Sequence, residues 1–264
     1  VESENELQAV RSLLAREGQS VEVLGFGSNV LVSDAGLNSW VITLGANFRN
    51  IVSGEAGRYT LSGAVSLMSV ARKLSSEGLS GLEFAAGIPA SVGGAVWMNA
   101  GAHGAEIGER IVTVRGVLAD GRVHEWSRDE LPWTYRSSGL PSGVVVTAVQ
   151  LALVAGDRDR IAKSCADNLA HRRATQPLSQ PSAGSVFKNP APETPAGLVL
   201  ERAGVKGIWS GGAQVSELHA NWIVNPEKKA RAADVHALIA ECVKRAEANS
   251  GLRLHPEVRM WGER

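Results

Sequence analysis

At 264 residues, with 44% hydrophobic and 20% charged side chains, the chain is long enough for one large domain or two of ordinary size, and disorder on a large scale is excluded. Lysine plus arginine balance aspartate plus glutamate at 27 each, so the charge points to neither nucleic acid nor a membrane surface. The two cysteines, Cys165 and Cys242, argue against a disulfide framework or a metal cluster and fit a reducing cytosol. No apolar run approaches the roughly 18 residues that span a bilayer.

The first predicted element is a helix. Ser3 with Glu6 forms a capping box, Leu7, Val10, Leu13 and Leu14 give an apolar stripe, and Gly18 ends it. "VEVLGFGSNVLVSD" then reads as strand, glycine turn and strand. A second helix is expected from Ser66 to Glu77, with Leu67, Val70, Ala71 and Leu74 on one face and Gly78 at its end. Strands follow in "IVTVRGVLADGRVHEW", where Asp120-Gly121 signals a hairpin, and in "GVVVTAVQLALV". From Gly156-Asp157 the composition turns more polar, and a helix with Ile161, Cys165 and Leu169 on one face begins. A last long helix is predicted from Ala233 to Asn249, closed by Gly251, before a strand-like tail, "LRLHPEVRMWG". The expected class is mixed α/β in two domains divided near residue 156.

Glycine is abundant, 29 residues, and seven lie in "GLEFAAGIPASVGGAVWMNAGAHGAEIG". A non-repeating cluster of this kind marks backbone that passes close to something. From Gly87 to Gly104 that neighbour is either a crowded helix–sheet crossing or an extended ligand. "GFGSN", Gly25 to Asn29, is either an ordinary tight turn or a nest of backbone N–H groups able to hold a phosphate. It lacks the dinucleotide fingerprint, since Val30 occupies the sixth position and a strand follows. Arg136 beside Tyr135, Glu257 in "HPEV" and His219 in "SELHANWIVN" each have a structural reading and a chemical one. No metal-ligand spacing and no G-x-S-x-G elbow is present. In "SAGSVFKNP" small residues lead to a hydroxyl, Ser185, before Lys188 and Asn189.

Read together, "GFGSNVLVSD", "GLEFAAGIPASVGGAVWMNAGAHGAEI", "YRSSG", "RRATQPLSQPSAGSVFKNP", "AGLVLERAGVKG", "GGAQVSELHANWIVN" and "LHPEVRMWG" resemble the UDP-N-acetylenolpyruvoylglucosamine reductases over nearly the whole chain. The resemblance implies a two-lobed FAD-binding region of the vanillyl-alcohol-oxidase type over residues 1–156, divided near 45. A substrate-binding α/β domain would follow over 157–264, with the tail 252–264 returning to the flavin lobe. It implies reduction of UDP-N-acetylglucosamine enolpyruvate to UDP-N-acetylmuramate in cytoplasmic peptidoglycan precursor synthesis, with NADPH as hydride donor and FAD as carrier.

By motif match, Ser185 supplies the proton, and Arg136 and Glu257 support the developing enolate. Gly25, Gly27, Ser28, Asn29, Gly87, Ile88, Pro89, Gly93, Gly94, Asn99, Gly101 and Gly104 fall on the FAD-binding segments. Asn189, Arg173, Gln176 and His219 fall on substrate-contacting ones. Family chains open with a further segment, so one is expected upstream of Val1. Phe26 and "PAS" (Pro89 to Ser91) depart from the family pattern, and Phe26 is expected to point away from the diphosphate. The compact C-terminal domain matches the class without an inserted tyrosine loop. Two other readings compete: a flavin oxidase of the same cofactor fold, disfavoured because no His or Cys lies in "GFGSN" to tether the flavin, and a ligand-binding protein without turnover.

Overall fold

The structure, a computed structural model, describes residues 1–262, so the last two residues of the expected returning tail lie outside the described residues. It divides into two compact units: residues 1–26 with 39–170, and residues 27–38 with 171–264.

The first unit is built on a five-stranded antiparallel sheet in the order Val123–Ser127, Ile111–Val117, Val145–Ala152, Arg58–Ser62, Ile51–Ser53. Helix α1 (Glu4–Arg16) lies on one part of this unit, where Leu7 and Leu14 are buried with Ile42, Val117 and Val145. Leu13, expected in the stripe, is 49% exposed, and Arg11 is buried in its place. The reason is the helical period: positions 7, 11 and 14 share a face. Arg11 is accommodated there because its guanidinium donates to the carbonyls of Gly143 (2.9 Å) and Leu118 (3.4 Å). The capping box is met by half, since Ser3 accepts from Glu6 N–H but the Glu6 carboxylate takes the N–H of Glu2. Glu4 holds α1 to the sheet by a two-pronged bond to Arg115 (2.8 and 3.0 Å) and a third bond from the Thr147 hydroxyl.

Helix α2 (Leu67–Ser76) buries the expected Leu67, Val70, Ala71 and Leu74 completely. Short helix α3 (Val92–Trp97) packs Val92 and Val96 into the same core, beside Ile107, Val114, Val149 and Leu151. Helix α4 (Arg158–Thr175) belongs to this unit through residue 170. Ile161 is buried, the Cys165 thiol meets the Ser75 hydroxyl at 3.1 Å, and Asn168 donates to the carbonyl of Glu83.

The second unit carries a four-stranded antiparallel sheet in the order Ser182–Ser185, Trp222–Val224, Ala213–Val215, Trp209–Ser210. Helices α5 (Ala196–Arg202) and α6 (Ala232–Ser250) enclose its core, with Val199, Leu200, Leu238, Ile239, Cys242 and Ala246 buried. Gly251 closes α6 in the left-handed region (φ +70°), as its place in the sequence predicted. At the other end of α6 the Asp34 carboxylate accepts from the N–H groups of Ala232 (2.8 Å) and Ala233 (3.0 Å). The strand-like tail pairs in parallel with the "NVLVS" segment: Arg259, Met260 and Trp261 lie opposite Val30, Leu31 and Val32.

Candidate active site

In the second unit a bulge sets the direction of Ser185. Ser182 pairs with Val224 and Ser185 with Trp222, so three steps on one strand span two on the other. In a regular strand, residues 182 and 185 would face opposite ways. The extra residue cancels that alternation and puts Ser185 on the face of its partner Trp222, which is how bulges re-aim side chains. The bulge depends on Gly184, whose φ of +77° disfavours any side chain. On the same strand face, the buried Trp222 presents an indole N–H that has no partner among the described residues.

The chain just after Ser185 is pinned on both sides. Val186 N–H donates to the carbonyl of Asn221, and Asn221 then uses its side-chain amide to accept from Phe187 N–H and donate to Phe187 C=O, both at 2.9 Å. On the other side, the carbonyl of Val186 accepts the N–H of Glu257 at 2.7 Å. Asn29 completes the junction: its amide donates to the Glu257 carbonyl (3.2 Å), and its own carbonyl accepts Arg259 N–H (2.9 Å). Ser28 approaches too, its carbonyl 3.6 Å from the place a Gly184 Cβ would occupy. Three segments far apart in sequence thus bring Ser185, Glu257 and the end of "GFGSN" together.

The four expected substrate-contacting residues differ in setting. Asn189 accepts the N–H of Ala196 through its side-chain oxygen and so starts α5. His219 accepts from Asn221 N–H through Nδ1, and its ring fits against Gly197, where a Cβ would lie 2.8 Å from Cε1. Burial, then the neighbouring Lys206, pushes the His219 pKa down, so the ring is neutral with its proton on Nε2. Arg173 is exposed, whereas Gln176 buries an Oε1 that has no partner in the described chain. The sequence reading missed Arg172: it is half-buried, its Nε is unpartnered, and burial lowers its pKa. Helical geometry was the available signal, because Arg172 lies four residues before Gln176 and so on the same helix face.

In the first unit, Arg136 sits in a two-residue turn closed by reciprocal bonds between Thr134 and Ser137. Its φ is +59°, a conformation that costs a non-glycine residue about 1–2 kcal/mol. The guanidinium lies over the Tyr135 ring (4.6 Å to the centroid), and its Nη1 is 4.0 Å from Glu106 Oε1. Asn99 is buried, with its amide engaged inside the fold: Oδ1 accepts from Gly108 N–H, and Nδ2 donates to Glu106 and to the Thr134 carbonyl.

The glycines expected to face a cofactor divide into two kinds. A Cβ on Gly25 would strike the Ser91 hydroxyl at 2.4 Å, one on Gly101 the carbonyl of Ala105 at 2.6 Å, and one on Gly93 would crowd Gly63 and Val146 carbonyls. At Gly93, on α3 against Val146 of the sheet, the crowded helix–sheet crossing is real, and Gly25 and Gly101 are likewise closed in by the protein's own atoms. Gly104 (φ +80°) has nothing within 4 Å, and Gly94 would meet only Ser91 Oγ. Gly27 (φ +70°) is exposed in the turn, and Gly87, Ile88 and Pro89 form the approach to α3, with Ser91 as its N-cap. Between Val23 and Ser33, and between Phe84 and Ala105, the chain has no charged side chain. Neutral hydroxyl, amide and backbone donors without a repelling carboxylate suit a diphosphate-bearing cofactor.

Comparison with known proteins fits this division of the chain. Residues 1–127 match the FAD binding domain model, and residues 176–261 match the model of the C-terminal domain of UDP-N-acetylenolpyruvoylglucosamine reductase. A protein of that name from Halalkalibacterium halodurans is 41% identical over 261 residues, which cover 98% of this chain and 85% of its own. The chain belongs to the UDP-N-acetylenolpyruvoylglucosamine reductase family. The family member from Heliobacterium modesticaldum is 46% identical over 243 residues (91% of this chain, 76% of its own). The crystal structure of the Thermus caldophilus reductase superposes with a TM-score of 0.83 at 36% identity, covering 99% of this chain and 91% of that one. The family's architecture, an FAD-binding region followed by a C-terminal domain of mixed helix and strand, is therefore that of this chain. Arg136 lies between the stretches that the two models match.

Proposed function

We propose that this chain carries out its family's reaction with Ser185 as proton donor, and that the bulge at Gly184 is the observation that carries this role. The chain is an FAD-dependent oxidoreductase that uses NADPH to reduce UDP-N-acetylglucosamine enolpyruvate in peptidoglycan precursor synthesis. The segments that would hold FAD are Gly27, Ser28 and Asn29 together with Gly87 to Pro89, Gly94 and Gly104, while Gly25, Gly93 and Gly101 let the same segments pack against the protein's own atoms. FAD supplies hydride-transfer chemistry when bound.

The residues of the chain supply what that chemistry lacks. Saturating the enolpyruvyl double bond places negative charge on the carbon next to the carboxylate, which must then gain a proton. A serine hydroxyl is a weak acid, and its advantage is position: a rigid strand that fixes Oγ spares the reorganisation an acid in solution would need. Glu257, joined to the same strand through Val186, polarises and orients on that side. Arg136 offers a fixed cation for the enolate. Asn189, Gln176, Arg173 and His219 face the sugar nucleotide in this reading, and the half-buried Arg172 joins them. We place the reaction in the cytoplasm, where NADPH and the sugar nucleotide are made; none of the described helices is long and apolar enough to cross a membrane.

The test is anaerobic absorbance. A flavin band that bleaches with NADPH and returns only when the enolpyruvyl substrate is added is expected. Ser185→Ala should bleach normally and recover about 10²–10⁴-fold more slowly. Normal recovery in that variant would remove Ser185 from its role.

A further inference from the structure

We infer that Glu106 is the positioning residue for Arg136, held in place by Asn99; the inference rests on the role given to Arg136 above. Five non-glycine residues among those described have positive φ; two of them, Asn99 and Arg136, belong to this cluster, and a third, His103, lies in the hairpin turn that leads to Glu106. Strain of that kind persists only where surrounding structure over-determines it. The surrounding structure here is specific. Asn99 Nδ2 donates to Glu106 Oε2 at 2.6 Å and to the Thr134 carbonyl at 3.0 Å, so one amide ties the carboxylate to the turn that carries Arg136. The other carboxylate oxygen, Oε1, faces Arg136 Nη1 at 4.0 Å, with both side chains mostly buried (31% and 18% exposed). Gly101 makes room for this, since a Cβ there would lie 2.8 Å from Glu106 Cγ.

The chemistry gives the arrangement a purpose. A guanidinium on a long side chain loses much rotamer freedom when it must meet a developing charge at one point. A carboxylate already fixed by a buried amide limits that freedom in advance, and Tyr135 limits it from the ring side. Glu106 touches no reacting atom in this reading. It acts through the cation.

Glu106→Gln keeps an acceptor for Asn99 and removes the charge. Expected is a roughly 10- to 100-fold slower return of the flavin band with substrate, while NADPH bleaching and flavin content stay native. In an Arg136→Lys background the same change should add less than about twofold, because the partner it acts through is already gone. If Glu106→Gln instead multiplies the Arg136→Lys defect by its full factor, the inference is overturned. Independently of turnover, the Arg136 Nε–H resonance, assigned in ¹⁵N-arginine-labelled protein by its loss in Arg136→Lys, should shift or broaden in Glu106→Gln. An unchanged resonance also overturns the tether. Native recovery in Arg136→Lys and Arg136→Ala would be a different failure: it would remove Arg136 from the reaction, and this inference with it, whatever the resonance does.

Discussion

Ser185 with Glu257, and Arg136 with Glu106, are two polar clusters held by different means. Around Ser185 the restraint is mostly main chain: a bulged ladder to Trp222, a bond from Val186 to Asn221, and a bond from Glu257 back to Val186. Around Arg136 it is mostly side chain, with Asn99 joining Gly108, Glu106 and Thr134 through one amide. In both places a buried asparagine closes what the backbone leaves open. The difference teaches where mutations should be local. A side chain projecting from a main-chain ladder can be removed without moving its neighbours, whereas a side chain held by other side chains inherits every change in them.

The largest effect expected follows from the first half of that contrast. Ser185→Ala should lower the rate of substrate-driven flavin recovery by about 10²–10⁴-fold, the range of general acid catalysis, with stability within about 0.5 kcal/mol of the parent by denaturant titration.

The two asparagines break the comparison most directly. Asn221→Ala strands both the N–H and the C=O of buried Phe187, and Asn99→Ala strands Gly108 N–H and takes a donor from the Glu106 carboxylate. Each should cost roughly 2–5 kcal/mol by calorimetry and denaturant midpoint. Folded Asn221→Ala should keep most of its activity at low temperature, while folded Asn99→Ala should also slow flavin recovery. Equal kinetic losses in both would erase the distinction.

Smaller effects separate space from conformation. Gly101→Ala forces a Cβ against the Ala105 carbonyl at 2.6 Å and should cost about 1–3 kcal/mol. Gly184→Ala meets nothing closer than Ser28 O at 3.6 Å, so its cost of about 1–2 kcal/mol comes from φ alone. A Gly184→Ala protein with native stability would show that the bulge tolerates a side chain.

The smallest expected effect lies away from both clusters and depends on pH. The Arg115 hydrogen bond holds the Glu4 carboxyl below the usual range, with Thr147 adding to it against the opposing effect of burial. A carboxyl lowered in the folded state contributes stability that is present above its unfolded value and lost as pH falls through the folded one. Glu4→Gln should therefore lower the melting temperature at pH 7 and lose that difference below about pH 4. A gap that stays constant between pH 7 and pH 3 would assign the effect to packing instead.

Periodic helices were legible in the sequence because their signals are local: α2 buries its four expected residues, and Gly251 closes α6. Leu13 and Arg11 mark the limit even there, since hydropathy counted Leu13 into the stripe while geometry chose the face containing Arg11. The family and its reaction were legible too, because motifs such as "SAGSVFKNP" are contiguous runs that survive without a fold around them. What the sequence could not place were pairings between distant segments. That Glu257 bonds next to Ser185, that Asn29 secures Glu257, and that Asn99 is tied to the Thr134 carbonyl depend on strands and loops tens to hundreds of residues apart. The glycines show the same division. Composition marked them as places of close approach, but only tertiary packing decided that Gly25, Gly93 and Gly101 approach the protein's own atoms while Gly104 faces none, because a missing Cβ carries no record of what fills its space.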